Sequence, residues 1–377
     1  MIARILKQLK QQSFFLFGPR GTGKSTWTKT LGLQRLDLLD DATFAEFAGS
    51  PRRLEARMDG WQVTAVVIDE IQKLPALLDE VHRLIENRGF RFVLTVSSAR
   101  KLRQRGVNLL AGRARTVEMH PFTAAELGTA YRLDHALQFG LLPSVWTVPD
   151  PATYLRSYVG TFLREEVRQE ALVRNIGSFG RFLEAASFSQ GAQLSMQAVA
   201  ADCGLPARTV QSHFDLLEDL LLAIRLPVFA RRAQRSLVQH PKFYLFDAGV
   251  FRALRPRGPL DSPAEIDGAA LETLLLQEIL AHNSAADLGY KLHFWRTRGG
   301  HEVDFVAYGE RGLLAFEVKR SDKLRSADFA GLKAFVQDYP VAKARLVYGG
   351  AVRYVVDGVE VVPFVNAVRE LGGWLAG

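Results

Sequence analysis

Residues 18–25 read Gly-Pro-Arg-Gly-Thr-Gly-Lys-Ser and directly follow SFFLF, an apolar run with the length of a buried strand. A turn that fits G-x-x-x-x-G-K-[ST] between a strand and a helix candidate lets backbone N–H groups curl around phosphate oxygens. The helix that follows adds positive potential at its N-terminus. This feature commits the first part of the chain to an α/β fold with a phosphate loop at the end of a strand. The expected cofactor-binding set is Gly18, Pro19, Arg20, Gly21, Thr22, Gly23, Lys24, Ser25 and Thr26, with ATP and Mg2+ as ligands. Lys24 reaches the β- and γ-phosphates and Ser25 holds the metal. The alternative, a glycine-rich turn without a ligand, fits the match and its placement poorly.

The rest of the stretch to His120 alternates apolar runs (RLDLLD, TAVVID, RFVLTV, RTVEMH) with amphipathic segments, which predicts a largely parallel sheet covered by helices. The run Ala65–Ile68 ends in Asp69 and Glu70. Asp69 would orient Mg2+ through its water shell and Glu70 would polarise the attacking water, which argues for hydrolysis rather than simple binding. The strand Phe92–Val96 runs into Ser97 and Ser98. If that strand lies beside the phosphate loop, Ser97 or Ser98 contacts the γ-phosphate or the water. Arg113, preferred over Arg115, is placed to project from one subunit onto the nucleotide of its neighbour, with a solvent-exposed or structural arginine as the alternative.

A chain of 377 residues is long enough for two or three cores, and 48% apolar with 23% charged residues excludes a disordered or fibrous protein. No apolar run reaches membrane-spanning length and the start carries no signal-peptide pattern, so a cytoplasmic location away from membranes is expected. The single cysteine, Cys203, can form neither an internal disulfide nor a cysteine-based zinc site. The surplus of 48 basic over 40 acidic side chains favours polyanions such as nucleic acid or an anionic membrane face.

The boundaries predicted are an ATPase domain at 1–126, a proline-punctuated lid or linker at 127–150, a helical region at 151–255 and an α/β module at 256–377. In the helical region, AVAADC, Gly204 and a helix starting at Pro206 have helix-turn-helix spacing. This looks like a winged helix. Arg208, Gln211, Ser212 and His213 would be exposed on the second helix, and the arginines between Phe229 and Lys242 would form a basic wing. DNA binding and a purely structural packing role weigh about equally there.

The last module places Glu272 on a helix candidate, Asp304 on the strand EVDFVAY, and Glu317 and Lys319 on the strand LLAFEVK. A hairpin through Gly309 and Gly312 would bring Asp304 and Glu317 to one edge, where they and the Val318 carbonyl suit Mg2+ or Mn2+, with Glu272 completing the shell. Lys319 returns to the face of Glu317 and can orient or deprotonate a water. Arg296 and Arg298 precede the acidic strand and could meet a DNA backbone. Carboxylates that only cap strand ends or pair with Arg296 and Lys319 are the alternative.

In order, GPRGTGKS, VVIDE, the strand ending in SSAR and the arginine before the fifth strand resemble the AAA+ branch of the phosphate-loop ATPases. FFLFGPRGTGKS, IDEIQKLP, SSARKL, LLAGRA and HPFTAAEL look more narrowly like a prokaryotic AAA+ family with a C-terminal domain of unknown function, over nearly the whole chain. Val96 stands where members usually have glycine. The helix glutamate, strand aspartate and Glu-x-Lys pattern resembles the restriction-endonuclease-like nucleases, including archaeal Holliday-junction resolvases. Together these imply an α/β ATPase with a winged-helix-like middle and a nuclease-like end, a homo-oligomer with arginine supplied in trans, and DNA, including branched DNA, as partner. An ATP-gated switch that binds DNA without cutting it is the competing reading, with Asp304 and Glu317 as the discriminating residues. A protein remodeller would need a hydrophobic pore loop, which the sequence does not show convincingly.

Overall fold

Five short runs become a parallel sheet because the central ones are apolar on both faces and must be covered on both. β1 (Ser13–Phe17), β2 (Gln34–Asp37), β3 (Ala65–Asp69), β4 (Arg91–Val96) and β5 (Ala114–Glu118) lie in the order β2-β3-β4-β1-β5. All neighbouring pairs are parallel. The computed structural model describes residues 2–7, 9, 11–98, 113–162, 167, 175–259 and 261–377. Ala99 and Arg100 of the SSAR turn, the following Lys101 and Leu102, and the residues from Leu109 to Gly112 lie outside them. The chain divides into one unit of residues 3–121 with 219–221, and a second made chiefly of 122–218 and 222–377.

In the first unit, Leu77, Val81 and Leu84 recur at four and three residues along the helix Leu77–Arg88, so one stripe of that helix is buried. They join Phe15, Phe17, Ile68 and Leu94 of the sheet in one core with Leu54 and Met58. Because β4 lies between β1 and β3, the chain ends of all three strands gather at one edge of the sheet. That places the phosphate loop, the Asp69–Glu70 pair and Ser97 side by side.

The second unit contains the helices Ile176–Ser187, Met196–Cys203 and Ala207–Asp219, followed by β6 (Ala223–Leu226) paired antiparallel with β7 (Lys242–Leu245). Gly204 supplies the turn between the second and third helices at φ 65. The third helix stops at Asp219, and within the region expected to be helical Ala223–Leu226 is a strand paired with β7. His213 is not exposed as expected: it is 7% accessible and lies 5.0 Å from the rings of both Phe179 and Phe182, on the buried stripe with Val210, Phe214 and Leu217. The stretch 127–150, expected as a lid or linker, is folded into this unit. Leu137, Leu141, Leu142 and Val145 are buried, and the Leu141 N–H donates to Asp247 Oδ2 at 2.8 Å. Pro143 and Pro151 open short helices there and do not loosen the chain.

The C-terminal part runs helix Pro263–Ala285, β8 (Lys291–Arg296), β9 (Glu302–Gly309), β10 (Gly312–Lys319), helix Ala330–Asp338 and β11 (Lys343–Tyr348). It closes with β12 (Tyr354–Val356), β13 (Val359–Pro363) and the helix Phe364–Ala376. The sheet order is β12-β13-β11-β10-β9-β8, with β8, β9 and β10 antiparallel and β11 parallel to β10. Trp295, Val306, Phe335, Leu346 and Val361 form its core. The Ala330–Asp338 helix touches β9 backbone directly at Gly331, where a Cβ would stand 1.7 Å from the Glu302 carbonyl oxygen. The fold class is therefore α/β: a parallel N-terminal sheet, a helical middle and a mixed C-terminal sheet. Among the described residues no helix is long and apolar enough to cross a membrane.

Candidate functional site

The phosphate loop leaves β1 with the Gly18 N–H bonded to the Val96 carbonyl at 3.1 Å. Gly18 has no room for a side chain, since a Cβ would lie 2.4 Å from the Met119 carbonyl oxygen. Gly21 and Gly23 take φ 86 and φ 93, the left-handed backbone that turns their N–H groups inward. Thr22 is buried and its hydroxyl donates to the Pro19 carbonyl at 2.8 Å. Arg20 and Thr26 are exposed at the rim. Lys24, 5% accessible, folds back onto the loop, its Nζ donating to the Gly18 and Pro19 carbonyls at 2.6 and 3.2 Å. The ammonium thus already sits inside the cradle.

Ser25 Oγ donates to Asp69 Oδ2 at 2.9 Å, so the hydroxyl and carboxylate expected to share Mg2+ are adjacent, and this all-oxygen pair fits a hard cation. When bound, that ion supplies charge neutralisation to the β- and γ-phosphates. Asp69 is 1% accessible; Thr95 Oγ1 donates to its Oδ1 and Arg35, on neighbouring β2, pairs with its Oδ2. Arg35 also contacts Asp37 at 3.0 Å, and the parallel register sets Asp37 beside Asp69. Glu70 adopts left-handed backbone, φ 59, with its N–H on Thr95 Oγ1 at 2.9 Å. Its carboxylate accepts from Ser97 Oγ at 2.6 Å and from Gln72, whose Nε2 also donates to Ser97 at 2.9 Å. The structure thus brings Lys24, Ser25, Asp69, Glu70 and Ser97 together. Arg35 and Gln72 complete the arrangement and were not singled out in the sequence, because only strand order and register place them there. Ser98 Oγ is buried without a hydrogen-bond partner among the described residues. Arg113 is exposed and paired with Glu86 within its own chain, and Arg115 is exposed on β5.

In the second unit, β9 and β10 carry the hairpin register Phe305↔Phe316, which leaves Asp304 and Glu317 abreast at the next position. The Val318 N–H donates to Asp304 Oδ2 at 2.9 Å, and Lys319 Nζ pairs with Glu317 Oε1 at 2.6 Å. Glu272, Asp304, Glu317 and Lys319 line one cavity of about 380 Å³, together with Glu302 and Lys242. Lys242 departs from expectation. It does not extend a basic wing: it is 2% accessible, and its Nζ lies 2.9 Å from Asp304 Oδ1, 3.8 Å from Glu272 Oε2 and in contact with Glu302 Oε1. The carboxylates expected to share a metal therefore have an ammonium among them. Among the described residues no group of three or more His, Cys, Asp or Glu side chains is arranged to hold a metal ion. Arg296 pairs with Glu302 Oε2 at 2.9 Å, and Arg298 is exposed.

Burial and neighbouring charge set the protonation states of this cavity. Burial would lower the Lys242 pKa, but Asp304, Tyr244, Glu272 and Glu302 raise it above the ordinary lysine value. Asp304 is pulled below its usual range against its own burial, chiefly by Lys242 and then Lys319. Glu317 is pushed up, first by burial and then by Asp304; its Oε2 is buried without a hydrogen-bond partner among the described residues. Glu272, which accepts from Tyr244 Oη at 2.9 Å, is raised to about 8 by burial and then by Asp304. A carboxyl whose folded pKa exceeds its unfolded value binds more protons when folded. Its stabilising contribution is complete below the unfolded value of 4.5 and is lost as pH rises through about 8. The melting temperature of the second unit should therefore fall between about pH 5 and pH 9, and Glu272→Gln should flatten that fall. Parallel melting profiles for the two proteins would refute this assignment.

A phosphate loop at the end of β1, an acidic pair on β3 and a five-stranded parallel sheet define the first unit as an ATPase domain of the AAA type. Residues 10–128 match a family described as an AAA domain. Residues 131–261 and 267–366 match two families described as domains of unknown function, DUF8612 and DUF4143. The chain is thus an AAA-type domain followed by two domains of unknown function. Among solved structures it is similar to that of protein VC1899 from Vibrio cholerae, at 11% identity and a TM-score of 0.24 over 97% of this chain and 98% of that one. No curated protein matches.

Proposed function

We propose that this protein is an oligomeric ATP-gated switch. ATP bound by Lys24 and Ser25 is hydrolysed with Asp69 and Glu70, and the nucleotide state controls the hold of the second unit on DNA. The observation that carries the hydrolytic half is the placement of Glu70, whose carboxylate is held by Ser97 and Gln72 one residue beyond the Asp69 that bonds Ser25. A positioned carboxylate beside the metal ligands is what water activation requires. The DNA half is supported by the net charge of +8 and by the exposed Arg208, Ser212, Arg231, Arg232 and Arg298. Arg113 supplied in trans remains our proposal for coupling between subunits; opening its pair with Glu86 would be the first step.

A second reading has the same ATPase driving a nuclease. It draws support from the convergence of Asp304, Glu317 and Lys319 on one cavity, and from the helix, three antiparallel strands, helix and parallel strand that carry them. In that reading Glu272, Asp304 and Glu317 take up Mg2+ or Mn2+, which requires Lys242 to leave Asp304. We favour the switch because Lys242 is buried where it stands.

The test is retention of linear, forked and four-way DNA in ATP, in ADP and without nucleotide, with Glu70→Gln beside the unaltered protein. Glu70→Gln is expected to bind ATP normally, to hydrolyse it at least about a hundredfold more slowly, and to lock the DNA affinity of the ATP state. DNA affinity that is identical in every nucleotide condition would sink the switch. Strand cutting that disappears in Asp304→Asn would install the nuclease reading.

A further inference from the structure

The polar cavity of the second unit is built around a lysine that the ATPase reading does not use. Lys242 comes from β7, which lies outside the six-stranded sheet, and its neighbour two residues on, Tyr244, points to the same side because strand side chains alternate. Between them they engage three acids from two other elements. Lys242 Nζ takes Asp304 Oδ1 at 2.9 Å and Glu302 Oε1, with Glu272 Oε2 at 3.8 Å, while Tyr244 Oη donates to that same Glu272 oxygen at 2.9 Å. The second oxygens are also engaged: Asp304 Oδ2 by the Val318 N–H at 2.9 Å and Glu302 Oε2 by Arg296 at 2.9 Å. Gly191 closes over the group; a Cβ there would stand 3.2 Å from Glu272 Oε2.

A divalent cation shared by Glu272 and Asp304 would have to enter between oxygens that already face an ammonium. The ammonium cannot retreat to water, since Lys242 is 2% accessible and is held over the Phe294 ring at 5.8 Å. Displacement would leave a buried charge without its partner, which is costly, and coexistence would set like charges side by side. We propose that the Lys242 ammonium is the resident counter-ion of this acidic site and takes the place of a divalent cation between Glu272 and Asp304. The site's charges are thereby balanced without metal, and Lys319, which lines the cavity, is the charged group left to meet whatever enters it. This deepens the switch reading, and rests on it only in treating the second unit as one that binds rather than cuts.

The test uses Mn2+ alone, titrated into the full chain and followed by the paramagnetic resonance of the free ion, in an Asp69→Asn background that removes the carboxylate of the phosphate-loop site. No nucleotide or DNA is present, so a failure of the switch reading leaves the measurement unaffected. The protein carrying Lys242 is expected to show no Mn2+ binding that depends on Asp304. Lys242→Ala is expected to gain one site, at least about tenfold tighter than anything in its parent and lost again on Glu272→Gln. Lys242→Gln, which keeps hydrogen-bond donors in place, serves if the alanine protein does not fold. Asp304-dependent Mn2+ binding in the presence of Lys242 overturns the proposal, as does a folded Lys242 variant that gains none.

Discussion

Lys24→Ala is expected to lower ATP turnover by about two to three orders of magnitude, the scale seen when a preorganised charge donor is removed from a reacting centre. The side chain is 5% accessible and anchored on the Gly18 and Pro19 carbonyls, so its ammonium is already desolvated and aimed into the loop. Binding phosphate replaces those two carbonyls with anionic oxygens. Alanine offers nothing in return and leaves the carbonyls facing the phosphates. Arginine should not restore turnover, because a planar guanidinium cannot fit the volume of a compact ammonium within this loop. Phosphate release measured at saturating ATP checks both variants, and normal turnover in Lys24→Ala would overturn the site assignment.

Asp304→Ala is expected to cost the second unit about 3 kcal/mol or more, because it strands a charge in the interior. Lys242 would keep Glu302, whose side chain is 24% accessible, and would lose the nearly buried partner that holds its position. The freed Val318 N–H would be orphaned as well. A double variant, Lys242→Met with Asp304→Leu, should recover most of the loss, since removing both charges avoids the uncompensated one. Denaturant midpoints for the single and double variants decide the matter. Equal losses in both would mean that Asp304 stabilises through packing and not through its charge.

The nucleotide site was legible in the sequence because its chemistry is local: glycines, lysine and serine act within one turn, and Asp69 and Glu70 announce themselves as acids at the end of an apolar strand. Arg35 was hidden, since its place beside Asp69 depends on β2 pairing with β3 in one register and not on any motif of its own. His213 has the right residue type for a DNA contact, yet its spacing from Val210, Phe214 and Leu217 puts it on the buried stripe. The prolines of 127–150 suggested a break in structure, and the sequence held no sign that Leu141 would find Asp247. Lys242 was the least legible. It sits downstream of a run of exposed arginines, and only the fold carries it from that basic context to the carboxylates of one helix and one strand.

The crowding at Gly18 turns the loop into a mechanical contact. Met119 presses its carbonyl where a Gly18 side chain would be, and its N–H is bonded to the Phe17 carbonyl at 2.7 Å. Arg4 ties the same region together by donating to Thr22 of the loop at 3.2 Å and to the carbonyls of His120 and Pro121. Two residues after Met119 the chain leaves the first unit. The segment after β5 is thereby fastened to the phosphate loop at both Gly18 and Thr22, so a loop that adjusts on gaining or losing a phosphate would pull on the backbone just behind Glu118.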